Sequence, residues 1–279
     1  MIGFVLQMLR IATPYLFTAA GGTIAERSGI VSLGLEGYML AGACGAAFGS
    51  YYGGNAWSGI VWGAAGGALF AAIHALATIR YRADQIVSGI AINILAVGAT
   101  RFAIRVAFGS SSNSPRVSGG ASGLLEFLGL LSILGVAGLI NRTRFGLRLR
   151  AAGEHPEAAA TVGISVSHIR AMAVVASGIL AGLGGAFLAL DQHQFSDEMT
   201  AGRGFIALAA VIFGRWQPFR AGAACLLFAA AEALEINLQG TSAIPSQFVA
   251  MIPYVLTVVA LAGIVGRSVP PAALGKTGH

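Results

Sequence analysis

Long stretches without charge alternate with short polar connections along most of the chain. A helix needs roughly 20 predominantly apolar residues to cross the hydrocarbon core of a bilayer. The stretches that approach or reach this length are 3–23, 30–50, 56–79, 85–106, 122–141, 169–190, 204–214, 219–238 and 248–266. The stretch 204–214 has only about half the required length, as a re-entrant segment or a broken helix would. The pattern predicts an all-α, polytopic membrane helical bundle of about eight or nine membrane segments.

Composition indicates the same fold class. Of the 279 residues, 56% are hydrophobic and 10% are charged, against about 25% charged in soluble domains. Mean hydropathy is +0.77, so an ordinary soluble enzyme is excluded. The 40 glycines allow membrane helices to approach closely. Two sets have the spacing typical of such contacts: Gly59, Gly63 and Gly67, and Gly178 with Gly182.

Basic residues give the bundle a direction. If the segments alternate, one side holds most of the basic residues: Arg27, Arg80, Arg82, Arg142, Arg144, Arg148, Arg150, Arg215, Arg220, Arg267 and Lys276. The connections on the other side carry only Arg116 and Arg203. The positive-inside rule then places the N-terminus outside and the C-terminus in the cytoplasm. The net charge of +6 therefore reflects membrane topology, and nucleic acid is not an expected partner.

The same alternation divides the chain into domains and connections. We expect a single transmembrane domain over 1–269, with a long cytoplasmic loop at about 142–168 and a loose cytoplasmic tail over 270–279. The outer loop near 108–121 is polar and rich in serine and glycine. We expect this loop to be mobile.

Glu36 is an acidic residue close to membrane depth, between Gly34 and Gly37. Removing a carboxylate from water is costly, so an ionisable residue there is a candidate for the translocation path. The alternative is structural, because a carboxylate can accept hydrogen bonds from backbone exposed at a helix break.

Other polar residues lie inside the predicted spans. Ser88 and Asn93 can face the translocation path, or they can tie helices together at around 1 kcal/mol per contact. Glu232 and Glu235 share one helical face that is too polar for lipid, so we expect it to face protein or a water-filled path. Arg101 and Arg105, one turn apart towards the outer end of their helix, are expected to extend to the lipid headgroups.

The cytoplasmic loop contains its own short helix. Pro156 suits the first helical position, Glu154 and Glu157 suit the positive end of the helix dipole, and Gly163 suits the position after the last turn. Such a helix is either a connector or the docking element for a partner.

Four motifs occur in one order along nearly the whole chain. They are Gly146–Ile164 in the cytoplasmic loop, Glu26–Gly37 at the start of the second helix, Asp84–Gly89 with Asn93, and Gly202–Gly214. Together they resemble permeases of the branched-chain amino acid, ribose and nucleoside group of ABC importers. The resemblance is closest to the shorter permease of importers served by nucleoside-binding lipoproteins of the basic-membrane-protein type. His155 and Ser32 depart from the residues common at these positions, which argues against copying substrate identity.

The resemblance implies a permease subunit in the bacterial cytoplasmic membrane that moves a nucleoside or related hydroxylated solute by ATP-driven alternating access. Its expected partners are an ABC ATPase, a second and longer permease, an extracytoplasmic substrate-binding lipoprotein and membrane lipid. The loop helix would dock on the ATPase through Glu154, Glu157, Ala158, Ala159 and Gly163. No cofactor, metal site or catalytic residue is expected, since ATP hydrolysis belongs to the partner. Ribose-type sugars, riboflavin and branched-chain amino acids are alternative substrates.

A transporter driven by an ion gradient is the main alternative. It needs ion-coordinating or protonatable groups near the membrane midplane, for which Glu36 and Asn93 are thin support. An enzyme embedded in the membrane is less consistent with the sequence, because no HExxH motif, nucleophile elbow or paired acid and base is found.

Overall fold

The computed structural model describes residues 2–110, 112–120, 122–238 and 269–276. The helices in these ranges are α1 Ile2–Arg27, α2 Leu35–Gly53, α3 Ala56–Ala75, α4 Gln85–Phe108, α5 Ser122–Arg142, α6 Arg144–Glu154, α7 Pro156–Thr161, α8 Val166–Asp191, α9 Arg203–Phe213 and α10 Pro218–Leu238. A π-helical turn, Leu76–Arg80, extends α3. The predicted all-α class is confirmed.

The apolar stretches coincide with these helices. Among the described residues, five helices have the length and hydropathy to cross a membrane: α3 with its π turn, α4, α5, α8 and α10. Helices α1 and α2, of 26 and 19 residues, are also long, whereas α9 has 11 residues. The total of eight or nine segments stays a prediction, because the stretch 248–266 lies outside the described residues.

Helix α8 forms the centre of the bundle and packs against α1, α2 and α3. Its contacts depend on glycine: a Cβ atom added at Gly182 would overlap the carbonyl of Gly63, and one at Gly42 would overlap the backbone of Gly182. A Cβ at Gly67 would similarly overlap the carbonyl of Gly178. The predicted small-residue contacts are therefore confirmed, and they bring three helix backbones into direct contact.

The bundle has two distinct ends. The "basic end" is where α1, the π turn and α5 finish and where α6 and α7 lie; the "distal end" carries 51–55, 109–120 and 192–198. At the distal end the loop after α4 pairs with the loop after α8: Asn113 bridges Ser196, and the N–H of Val117 donates to the carbonyl of His193 at 2.8 Å. Backbone hydrogen bonds therefore hold the paired residues of this loop, and the expected mobility stays a prediction.

The basic end contains two further departures from expectation. The loop 142–168 holds two helices, α6 and α7, where only the second is predicted from the sequence. The described part of the tail, 269–276, is docked rather than loose: Ala273 is 3% exposed and its N–H donates to the carbonyl of Gly153 at 2.9 Å.

Candidate functional site

The connection between α1 and α2 folds back into the bundle before α2 begins. Asn93 holds it there: its Nδ2 donates to the carbonyl of Leu33 at 2.9 Å, and its Oδ1 accepts from the N–H of Gly37 at 2.8 Å. Asn93 lies about 12 Å along α4 from the basic end, at 1.5 Å per residue. Helix α2 therefore begins well inside the bundle.

Glu36, in the first turn of α2, binds the start of α9. Its Oε1 accepts from the hydroxyl of Thr200 at 2.6 Å and from the N–H of Gly202 at 2.9 Å. Its Oε2 accepts from the N–H of Gly204 at 2.6 Å. The first N–H groups of a helix lack partners within the helix, and a carboxylate there also complements the positive end of the helix dipole. The starts of two helices thus meet at one carboxylate.

A cavity of about 440 Å³ opens beside this junction. Carboxylate, amide and hydroxyl groups and apolar side chains line it together: Glu36, Gly37, Leu40, Asn93, Ile94, Val97, Glu198, Thr200, Ala201, Gly202 and Phe205. Among the residues predicted for the path, Glu36 and Asn93 are brought together here. An apolar cavity with a few converging polar groups is typical of small-molecule sites.

The segment that forms one wall of the cavity is fixed at the distal end by Arg101. The guanidinium donates to Asp197 at 2.7 Å and to Glu198 at 2.8 Å. Two acidic residues of the connection after α8 thus bind Arg101, while its side chain is still 47% exposed, so its expected contact with lipid headgroups stays a prediction. Glu198 and Ala201 in this segment have positive φ angles of 52° and 46°, a strained backbone for residues other than glycine.

The other path candidates lie elsewhere. Ser88 is buried, and its hydroxyl lies 3.0 Å from Nδ1 of His74; it is not among the residues lining the 440 Å³ cavity. Glu232 accepts from Arg203 at 3.1 Å and from the hydroxyl of Tyr15. Glu235, one turn further along α10, is half-buried. The four residues Ser88, His74, Glu232 and Arg203 thus serve helix contacts within the described bundle.

Sequence reasoning missed a second buried carboxylate, Glu26, at the basic end. Glu26 is 2% exposed, and it accepts from the indole N–H of Trp216 and from the N–H of Ser32. Arg27 adds a bond from its Nε to the carbonyl of Trp216 at 2.8 Å. The α1–α2 connection is thereby joined to the turn between α9 and α10. The signal available in the sequence was an acid directly before the basic end of α1.

The predicted coupling residues differ in exposure. Glu157, Ala158 and Gly163 are exposed, whereas Ala159 is buried beneath α7. Gly163 has a φ of +81° with open space around it. Glu154 lines the same cavity as Glu157 and Ala158, and it accepts from the N–H of Ala272 at 3.2 Å and lies 4.0 Å from Arg27.

Arg170 is a buried cation under the coupling helices, also missed from the sequence. It is 5% exposed, and its Nε donates to the carbonyl of Ser28 at 3.1 Å. Its Nη2 lies 3.5 Å from the carbonyl of Ala152. These carbonyls belong to the C-terminal ends of α1 and α6, where a cation is favoured by the helix dipoles.

Long apolar helices around a cavity where a few polar groups converge, with short helices at the basic end, define a multi-pass membrane permease. The chain belongs to the family described as branched-chain amino acid transport system / permease component, whose model matches residues 4–261.

Three similar proteins narrow the class. The guanosine ABC transporter permease protein NupQ of Bacillus subtilis is 41% identical, covering 95% of this chain and 92% of that protein. The nucleoside ABC transporter permease protein NupC of Lactococcus lactis is 38% identical over 97% and 95%. The putative glucose ABC transporter permease protein TsgC13 of Haloferax volcanii is 33% identical over 86% and 79%. The chain is therefore a permease subunit of an ABC importer in the inner membrane, and family membership implies ATPase and substrate-binding partners.

Proposed function

We propose that this permease carries nucleosides, and that the 440 Å³ cavity at Glu36 and Asn93 is part of their path. A nucleoside joins hydroxyl groups on ribose to a flat heterocycle. The cavity offers hydrogen-bond acceptors and donors for the ribose hydroxyls, and an apolar wall that includes Phe205 for the heterocycle. Two similar proteins, NupQ and NupC, carry names that specify guanosine and nucleosides.

Transport proceeds by alternating access between two permeases. The cavity is open on the surface of this chain, so a second subunit completes it, and we propose the longer permease of the same importer as that subunit. The basic end faces the cytoplasm, since arginine concentrates there; the N-terminus is then outside and the C-terminus inside. A binding lipoprotein delivers substrate at the distal end.

The ATPase docks at the exposed face of α7, defined by Glu157, Ala158 and Gly163. Closure of the ATPase dimer displaces this short rigid helix, and the displacement passes to the membrane helices as a rigid-body movement. Ala159 anchors α7 from below, because it is buried. Glu154 lines the cavity beside this face, and it also contributes through its contacts with the tail and Arg27.

A sugar is the second candidate substrate, favoured by the name of the relative TsgC13, which specifies glucose. An ion-driven mechanism is less consistent with the cavity, because the Glu36 carboxylate is already engaged by Thr200, Gly202 and Gly204.

Uptake measurements test the substrate. A deletion strain and the complemented strain are given labelled guanosine, uridine, ribose and glucose. We expect nucleoside uptake to fall at least tenfold in the deletion strain and to return on complementation. Unchanged nucleoside uptake in the deletion strain would overturn the substrate, and uptake that survives loss of the ATPase but collapses with the ion gradient would overturn the mechanism.

The docking face is tested by Ala158→Trp, with Leu147→Trp as a control on α6. Both side chains are exposed, Leu147 by 62%, so folding tolerates either change. We expect Ala158→Trp alone to reduce co-purification of the ATPase. Equal retention of the ATPase by both variants would contradict docking at α7.

A further inference from the structure

Residues 269–276, here named the tail strap, are attached to the coupling region through main-chain atoms. The N–H of Ala273 donates to the carbonyl of Gly153 at 2.9 Å, and the N–H of Gly275 donates to the carbonyl of Gly29 at 3.2 Å. Ala273 itself is 3% exposed, whereas Val269 is 79% exposed. The strap is therefore anchored at its centre and exposed at its beginning.

The two anchor points belong to different parts of the permease. Gly153 lies in the last turn of α6, directly before α7, and the neighbouring Glu154 accepts from the N–H of Ala272 at 3.2 Å. Gly29 lies in the connection between α1 and α2, with a φ of +97°. The strap thus bridges the coupling helices and the segment that leads into α2.

The contact at Gly29 has no spare room. A Cβ atom there would lie 2.9 Å from Nη2 of Arg170 and 3.3 Å from the carbonyl oxygen of Ala273. Arg170 of α8 also connects the α1–α2 connection to α6, because it donates to the carbonyls of Ser28 and Ala152. Gly29 of the α1–α2 connection is therefore in close contact with both Arg170 and the strap.

From Gly29 the chain continues directly to the cavity. Asn93 holds Leu33 at the end of this connection and Gly37 in the first turn of α2, and Glu36 binds the start of α9. Hydrogen bonds therefore link α6 to the strap and the strap to Gly29, and the covalent chain from Gly29 leads to the residues that Asn93 and Glu36 hold at the cavity wall.

We propose that the tail strap is a positioning segment for coupling: it fixes α6 and α7 to the α1–α2 connection, so that displacement of α7 moves the cavity wall. This rests on the proposed docking of the ATPase at α7. Arg170 joins the same two parts from the bundle interior, and the strap joins them on the cytoplasmic surface. Without the strap, α7 can follow the ATPase while the cavity stays in place.

The test measures ATP hydrolysis and substrate uptake in the same vesicles, containing the complete importer. One variant lacks residues 269–279, and its control lacks only 277–279. A second pair is Ala273→Pro, which removes the N–H bonded to Gly153, and Val269→Ala at an exposed position.

We expect both strap variants to keep the ATPase bound and to hydrolyse ATP within twofold of the wild type. Uptake per ATP hydrolysed should fall at least tenfold, and both controls should match the wild type. A merely structural role would lower the amount of assembled complex and leave that ratio unchanged.

An unchanged ratio in the strap deletion would overturn the proposal. Loss of ATPase binding would overturn it too, since the strap would then be a docking surface. If the Ala273→Pro variant does not accumulate, the uptake ratio of the deletion variant tests the proposal, because the deletion introduces no proline ring. If neither variant accumulates, the strap is required for folding, and its role in coupling is overturned. The α7 docking proposal fails separately, through normal ATPase retention by Ala158→Trp.

Discussion

The carboxylate of Glu36 accepts a hydrogen bond from the N–H of Gly204 at 2.6 Å, so an acid of one helix binds the start of another. The two residues are held against each other by shape as well, because a Cβ at Gly204 would lie 2.5 Å from the backbone nitrogen of Glu36. The cavity wall and the half-length helix α9 therefore depend on one side chain.

Replacing Glu36 by alanine should destabilise the permease markedly. Thr200, Gly202 and Gly204 would lose their acceptor, and each unsatisfied buried donor costs about 1–3 kcal/mol. Glu36→Gln should have a smaller effect, because one amide oxygen still accepts. Thermal unfolding of the detergent-solubilised protein measures the loss, with Glu126→Gln on α5 as the control. Equal midpoints for Glu36→Ala and the control would contradict the role of Glu36.

The ion pair of Arg203 and Glu232 should show strong coupling in a double-mutant cycle. The side chains are only 23% and 25% exposed, so removing one partner leaves the other charge poorly solvated. We expect Arg203→Met and Glu232→Gln each to lower stability, and the double variant to lose less than the sum by about 1–3 kcal/mol. Additive losses would show that the two residues act independently.

Substitution of glycine by alanine should depend on the helix face. At Gly182 the new methyl group meets the backbone of Gly63 and Gly67 on α3, whereas at Gly138 on α5 it meets nothing within 4 Å. Gly182→Ala should therefore push α8 and α3 apart and reduce folded protein. Gly138→Ala should be neutral or stabilising, by about 0.5–1 kcal/mol. The yield of monodisperse protein after gel filtration compares them, and similar yields would refute the close packing assigned to Gly182.

Arg170 and Arg101 should differ in their contribution to stability. Arg170 is buried and bonds helix-end carbonyls, so Arg170→Met should cost roughly 1.5–3 kcal/mol for each charged hydrogen bond lost. Arg101 is half-exposed to solvent at its ion pairs, and such pairs contribute about 0.2–1 kcal/mol. The Arg101→Met variant should therefore have an unfolding temperature close to that of the wild type. A larger loss at Arg101 than at Arg170 would reverse this assignment.

Helix positions followed from the sequence because apolar length is a direct physical requirement for each span. The sequence does not predict α6 for the complementary reason: Arg144 and Arg148 make its exposed face polar, and a surface helix produces no long apolar stretch. The tail was misjudged because its contacts at Ala273 and Gly275 use backbone N–H groups, which every such residue possesses.

Site residues are predictable from the sequence only where the pattern within a single helix identifies them. Asn93 and Glu36 were recognised as polar residues at membrane depth, but their partners lie far away in sequence. Ser88 and Asn93 are five positions apart, about 140° around a helix, so they could not have faced one path. Arg203 was assigned to an outer loop because strict alternation of spans has no place for an irregular segment that descends into the bundle to start α9.

Helix α9 is about 16 Å long at 1.5 Å per residue, against roughly 30 Å of hydrocarbon. The rest of that depth is filled by non-helical chain, which survives in a membrane only against protein or water. This sets a condition on biogenesis. Phe195, Met199 and Thr200 of this segment are buried within the bundle, so the neighbouring helices of the same chain shield it from lipid and its insertion depends on their packing.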